Sequence, residues 1–277
     1  MVCHSGHDSN IVGISRFFII GKARAFKIIR QKTYLTSKVK TFSLNYLCDM
    51  VVVPSYFTKE SLVNRGCDNE IRVVHPGFNV DIIRKASRLS LPAHIMSWLK
   101  KKKDIPVFLQ VGMIRPEKGH IFMLDVLSTL RQQGREFCWL IVGSGSSEDE
   151  NKLRSHIKRY KMQDYILTAG SVFPVFPVYK VASLVVIPST NESFGMVAVE
   201  ASLNTVPVFA NNIGGLSDVI KDKETGTLLL AGDKELWVKS LGEFLDNSEP
   251  FYNMASLAKE DVELRFNIRN TIRDIIE

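Results

Sequence analysis

Two stretches of the chain concentrate residues that could do chemistry. The first is Val107–Gly119, VFLQVGMIRPEKG, where an apolar run ends at Gly112 and a short loop brings Arg115, Glu117 and Lys118 to the start of a helix. In an open parallel sheet, ligands bind outside the carboxyl ends of the strands, which is where such a loop sits. Arginine there can clamp a phosphate bidentately, and lysine can oppose it as a point charge. Basic side chains are also common on exposed loops, so this stretch alone points to an anion without requiring one. The second is Val185–Ser202, VVIPSTNESFGMVAVEAS. Its strand ends at Pro188, its loop runs to Gly195, and a helix containing Ala198 and Ala201 follows. The first backbone amides of that helix, at Phe194, Gly195 and Met196, form a natural anion site. Glu192 falls in the loop, and Glu200 lies about one and a half turns inside the helix. Such a pair suits hydroxyls on either side of a bound anion. It reads equally as a cap partner and a solvated helix residue.

Two further glycine turns follow strands on the same rim: Ile141–Gly145, IVGSG, and Asn211–Gly215, NNIGG. GSG lacks the third glycine and the downstream acid of a dinucleotide fingerprint. No phosphate-binding GxxxxGK[ST] motif occurs, and no DxD pair offers a metal–diphosphate site. Taken singly, these glycines are turn residues.

The elements that must hold these loops alternate β-branched runs with helical patterns, the signature of βαβ units and a parallel sheet. Strands are predicted at Phe26–Arg30, Met50–Pro54, Ile71–His75, Val107–Gly112, Cys138–Gly143, Tyr165–Ala169, Leu184–Pro188 and Val206–Ala210. Helices are predicted at Phe57–Arg65, His120–Gln133, Glu148–Tyr160 and Met196–Leu203. Several strands are unbroken apolar runs, as expected when a sheet is covered on both faces. Pro76-Gly77, Pro92 and the lysine run 100–103 mark a boundary. The expected organisation is a small domain over 1–80, a linker over 81–104, a larger α/β domain over 105–250 and terminal helices over 251–277. Three strands make a thin sheet for the first domain, which looks incomplete at its start.

Composition narrows the class. With 277 residues, 45% hydrophobic and 23% charged, the chain is globular rather than disordered or fibrous. No apolar run approaches the roughly 18 residues of a membrane span, and no leader peptide is evident. Cys3, Cys48, Cys67 and Cys138 are scattered without a CxxC or Cys/His cluster, which argues against zinc and for a reducing cytoplasm. The net charge of +7 is concentrated: residues 9–48 hold eight Lys or Arg and no acid. Such a field attracts a phosphate-rich partner, or simply solvates one face. Nucleic acid is not expected, because neither aromatic interleaving nor a known module accompanies the charge.

Together these pieces resemble the family 4 type glycosyltransferases of GT-B architecture, in order and through nearly the whole chain. VGMIRPEKG is similar to the family's basic strand–loop and IVGSG to its nucleotide-facing turn. ILTAGSV resembles its base-binding stretch, and ESFGMVAVE its two-glutamate motif. NNIGGLSDVI and TGTLLLAGD resemble the segments that follow. CDMVVVPSYFTKESLVNRG and IRVVHPGFN look like the end of its N-terminal domain. The resemblance implies an α/β fold of two Rossmann-like parallel-sheet domains, the N-terminal one incomplete. It implies a retaining transfer of sugar from a nucleotide diphosphate donor to a hydroxyl acceptor without a metal cofactor. The setting would be lipopolysaccharide, polysaccharide or glycolipid biosynthesis, in the cytoplasm or peripherally on the inner membrane face.

Carried over by residue, Glu192 would contact the donor sugar, Glu200 the ribose and Lys118 the diphosphate. The amides of Phe194, Gly195 and Met196 would face sugar and diphosphate. Gly112, Gly143, Gly170 and Val172 would line the nucleotide. The family's arginine directly after the strand glycine is here Met113, so Arg115 would have to substitute. VCHSGHDSN resembles a His-containing strand end near the acceptor, which marks His4, with His7 and Asp8 as weaker candidates. A chain so placed is either an enzyme or a remnant that grips nucleotide sugar without turning it over. Saccharide or lipid-linked acceptors and an anionic membrane surface are the expected partners. Residues 9–48 should therefore bind liposomes containing acidic lipid. Binding should fall steeply with salt, as the Debye length shrinks from about 10 Å at 0.1 M to about 3 Å at 1 M. Equal binding to neutral liposomes would contradict this.

Overall fold

The computed structural model describes residues 2–3, 28–33 and 41–276 and divides into two units, 1–77 with 268–277 and 78–267. In the first unit β1 (Val2–Cys3), β2 (Ile29–Gln31), β3 (Met50–Val53) and β4 (Ile71–Val73) form a parallel sheet in chain order. Helices α1 (Thr41–Tyr46) and α2 (Tyr56–Val63) lie between its strands in sequence. Ser55 caps α2 by accepting a hydrogen bond from the Thr58 amide at 3.1 Å. Ile28, Leu44, Val51, Val53 and Leu62 make its core. Arg30 is buried in this unit, its Nη1 donating to Ser43 Oγ at 2.7 Å.

The second unit begins with α3 (Val80–Ala86) and α4 (Ala93–Lys100). Its sheet contains β5 (Val107–Val111), β6 (Cys138–Val142), β7 (Ile166–Thr168), β8 (Leu184–Ile187), β9 (Val208–Asn211) and β10 (Thr227–Leu229). The order is β10-β9-β8-β5-β6-β7, parallel throughout. The helices are α5 (His120–Gln132), α6 (Ser147–Arg159), α7 (Met196–Leu203), α8 (Leu216–Val219), α9 (Lys234–Asp246) and α10 (Glu249–Arg265), and α11 (Ile268–Ile276) belongs to the first unit. The apolar runs are unbroken because both faces are covered. Leu109, Leu140 and Val185 pack into one core with α7 and α10, while Phe108, Trp139 and Val186 pack into another with α5 and α9.

Two expectations are corrected. Residues 81–104 are not a linker: they carry most of α3 and all of α4, whose Ile83 and Ile95 are buried in the second unit's core. Pro92 marks the N-cap of α4 instead of a break, as suits a residue with fixed φ and no amide to satisfy. The stretch 251–277 is also split, α10 closing the second unit and α11 returning to the first. There Thr271 Oγ1 donates to the His75 carbonyl at 2.9 Å. The short strand β10 has no counterpart among the predicted strands.

Ile95→Ala should lower the denaturant stability of the second unit by about 2–5 kcal/mol, the usual loss for a buried isoleucine. Met96→Ala, on the exposed side of the same helix, should cost under about 0.5 kcal/mol. A loose linker would leave both unchanged.

Candidate active site

The order of the six-stranded sheet is that of a doubly wound dinucleotide-binding domain, with its reversal between β5 and β8. A ligand crevice is expected outside the carboxyl ends of those two strands. The two loops singled out by sequence leave the sheet there.

After β5 the chain runs through a 3-10 turn over Pro116–Lys118 and closes it with Gly119. Lys118 is pinned by its backbone: its carbonyl accepts from buried Gln110 Nε2 at 2.7 Å and its amide donates to Arg115 O at 3.0 Å. The loop after β8 is tied to it through Thr190, whose amide donates to Glu117 O at 2.8 Å. Across this junction Lys118 Nζ meets Glu192 Oε2 at 2.7 Å, each side chain about one-fifth exposed. The Glu192 carbonyl in turn accepts from the Gly215 amide at 2.9 Å, joining the turn after β9 to the same point. The arrangement holds one cation and one carboxylate at the mouth of the crevice, paired but reachable.

The turn after β6 stacks on the loop after β5. Gly143, at φ +146, lies so close to the Gly112 backbone that a Cβ there would overlap the Gly112 carbonyl. Its amide donates to the Gly170 carbonyl at 2.9 Å, placing Gly112, Gly143 and Gly170 side by side, with Val172 half-buried just beyond. On the other side of the crevice α7 begins at Gly195, whose φ of +110 lets the chain turn into the helix with no side-chain cap. Phe194 is buried, edge-on to Phe266 at 5.2 Å, which anchors the loop, while Met196 is half-exposed. The first-turn amides of α7 precede any intrahelical acceptor, and the positive end of the helix faces the rim.

Glu200 is half-buried on α7 and accepts a 2.6 Å hydrogen bond from the buried Tyr179 hydroxyl. Burial raises its pKa from the ordinary value, and the Tyr179 bond partly opposes that rise. The same burial, reinforced by the Glu200 charge, holds the Tyr179 phenol well above its ordinary value. Glu200 is therefore a positioned carboxylate rather than a solvated helix residue.

The structure does not bring Arg115 to this group. Its guanidinium comes within 3.9 Å of Glu117, and the residue lines a cavity beside α6 together with Thr190. Met113 is half-exposed. His4, His7 and Asp8, and most of the basic residues of 9–48, lie outside the described residues. Sequence reasoning missed Thr190, Gln110 and Tyr179. Only a polar residue inside an otherwise apolar strand, Gln110, carried a signal. Among the described residues no cluster of three or more His, Cys, Asp or Glu could hold a metal ion, and no helix is long and apolar enough to cross a membrane.

Fold and site thus define a domain of GT-B type, with a lysine–glutamate pair and the start of a helix at the switch point of its sheet. The family model for glycosyl transferases group 1 matches residues 95–261, and the chain belongs to that family. It is 30% identical over 212 residues to a D-inositol 3-phosphate glycosyltransferase of Streptomyces scabiei, covering 70% of this chain and 45% of that protein. It is 31% identical over 225 residues to the one of Acidothermus cellulolyticus, covering 75% and 47%. The chain spans about half the length of these curated relatives. In fold it is similar to Anabaena HepE, crystallised with UDP, with a TM-score of 0.83, 18% identity and coverage of 99% of this chain and 76% of that one. The C-terminal domain of LpcC from Francisella tularensis, a group 1 glycosyl transferase, aligns over 69% of this chain and all of its own, with a TM-score of 0.57 and 20% identity.

Beside the crevice, His120 opens α5 fully enclosed, and burial lowers its pKa from 6.5 to about 4. The Arg115 backbone favours the charged ring a little and the Lys118 charge disfavours it. Between those values the unfolded chain binds a proton that the folded one does not, so stability falls as pH drops through that window. The loss should reach roughly 3 kcal/mol near pH 4. Melting curves across this range should show a component that disappears in His120→Asn; an unchanged pH slope would contradict the burial.

Proposed function

We propose that the chain carries the donor half of a retaining glycosyltransferase, which moves a sugar from a nucleotide diphosphate to a hydroxyl acceptor. The observation that carries this reading is the Lys118–Glu192 pair at the switch point of the sheet, flanked by the start of α7. Breaking the glycosidic bond leaves negative charge on the diphosphate. Lys118 and the amides around Gly195 offer preorganised positive potential where that charge would develop. Glu192, released from Lys118 when phosphate takes its place, would accept from the sugar hydroxyls. Glu200, held by Tyr179, would grip the ribose, and the stacked glycines 112, 143 and 170 with Val172 would receive the nucleoside. Structural neighbours crystallised with UDP and with UDP-glucose support a nucleotide sugar as donor.

No metal is invoked, because lysine and helix dipole supply the charge. The acceptor is a saccharide or a lipid-linked sugar. The attack from the departing side, the polysaccharide or glycolipid setting and peripheral attachment to an anionic membrane follow from the family resemblance and belong to this proposal. So does the part of His4 at the acceptor.

Lys118→Ala and Glu200→Ala should each weaken UDP-glucose binding about ten- to a hundredfold, the range for one charged hydrogen bond. Tyr179→Phe should act in the same direction by less, since it loosens Glu200 without removing it. Calorimetry that finds full affinity in both alanine variants would overturn the assignment.

A further inference from the structure

Two buried side-chain amides stand near the carboxyl ends of the strands that flank β8: Gln110 in β5 and Asn211 at the end of β9. Side chains two apart on a strand share a face, so the amides continue the rows of Phe108 and Phe209, on the side of the sheet packed by α5 and α9. Buried polar groups in such a layer need partners. Asn211 has one at each end: its Nδ2 donates to the Ser189 carbonyl at 2.9 Å, and its Oδ1 accepts from Trp237 Nε1 of α9 at 3.0 Å. Gln110 has one only. Its Nε2 donates to the Lys118 carbonyl at 2.7 Å, while its Oε1 is sealed from solvent without a hydrogen-bond partner.

The two carbonyls so held lie at the roots of the crevice loops. Lys118 ends the turn after β5, and Ser189 opens the loop that carries Glu192. Between them Gly119, at φ +71, lies so close to Pro188 that a Cβ would overlap the Pro188 carbonyl. The Glu117–Thr190 backbone bond ties the loops to each other, and the amides tie each loop to the sheet. An unpaired oxygen in a closed apolar layer costs stability that a methionine of similar length would not. What Gln110 gives in return is a fixed place for the Lys118 backbone.

We infer, on the proposed reading of the crevice, that Gln110 and Asn211 are positioning residues for donor binding. Gln110 acts through Lys118 and Asn211 through Glu192, and neither touches the ligand. Gln110 thereby sets the affinity for the diphosphate, and Asn211 sets the added affinity that the sugar brings.

The test is calorimetry of UDP and UDP-glucose with the full chain, together with denaturant unfolding, in four variants and one double variant. Gln110→Met should weaken both ligands about three- to tenfold, the range for one neutral hydrogen bond. Its stability should be unchanged or higher, since no buried oxygen is left unpaired. Added to Lys118→Ala, it should weaken them no further, as expected of two residues acting through one contact. Asn211→Leu should lower stability by orphaning Trp237 Nε1. It should also erase the advantage of UDP-glucose over UDP while leaving UDP within about twofold. Should that variant fail to fold, Asn211→Leu with Trp237→Phe removes donor and acceptor together and takes its place. Leu130→Ala, which opens a cavity near the far end of α5, should lower stability and leave both affinities alone.

The positioning roles are overturned if Gln110→Met keeps full UDP affinity while Lys118→Ala does not, or if the two losses add in full. They are equally overturned if Asn211→Leu leaves the advantage of UDP-glucose intact, or if Leu130→Ala weakens the ligands as much. Full UDP affinity in Lys118→Ala, or no advantage of UDP-glucose in the wild-type chain, would instead sink the proposed function and these roles with it.

Discussion

Lys118 and Glu192 lie 74 residues apart and meet because two parallel strands, β5 and β8, end side by side where the winding of the sheet reverses. Almost every other feature of the site follows from that junction. The Glu117–Thr190 backbone bond fixes the distance between the two loops, and the Glu192–Gly215 bond adds the turn after β9. Gln110, the polar residue of an otherwise apolar strand, holds the loop by its Lys118 carbonyl. The paired side chains, each about one-fifth exposed, neutralise one another at the mouth of the crevice. On the proposed reading a diphosphate would replace the carboxylate as partner of the lysine, one charge-assisted contact being exchanged for another.

The second organising fact is the contrast between the two glutamates. Glu192 sits on a loop and its partner is the ammonium at the end of the long Lys118 side chain. Glu200 sits in a helix, half-buried, with its acceptor oxygen fixed by an enclosed phenol. One carboxylate is free to be exchanged and the other is built in place. On the proposed reading that division would let one carboxylate meet the donor sugar as it binds while the other holds the ribose. The glycines serve the same end by subtraction: at Gly143 and Gly195 the backbone itself forms the wall, in conformations that a side chain would obstruct.

Much of this was legible in the sequence because the strands are unbroken apolar runs, and a doubly covered sheet leaves its chemistry only at the strand ends. Val107–Gly112, Cys138–Gly143 and Leu184–Pro188 therefore announced both the sheet and the rim. Partner choice was not legible. Arg115 and Lys118 are three residues apart in one loop, yet the 3-10 turn sends one to Glu192 and the other toward α6. Spacing cannot distinguish these outcomes. Tyr179 was invisible because it lies in a 3-10 helix with no amphipathic period. The helices over 80–100 were hidden by Pro92, a residue that breaks a helix from inside and begins one at its edge. Most of the basic stretch and the histidines near the start lie outside the described residues, and of its cations Arg30 is buried against Ser43.

The central claim is that Lys118 is a diphosphate contact held in reserve by Glu192. Calorimetric titration of UDP and UDP-glucose into the wild-type chain and Glu192→Gln tests it most directly. Releasing the lysine should leave UDP binding as tight or tighter, while UDP-glucose loses whatever advantage the sugar hydroxyls gave it over UDP. If Glu192→Gln weakens UDP and leaves that advantage untouched, the pair is part of the scaffold and the account of the crevice is wrong.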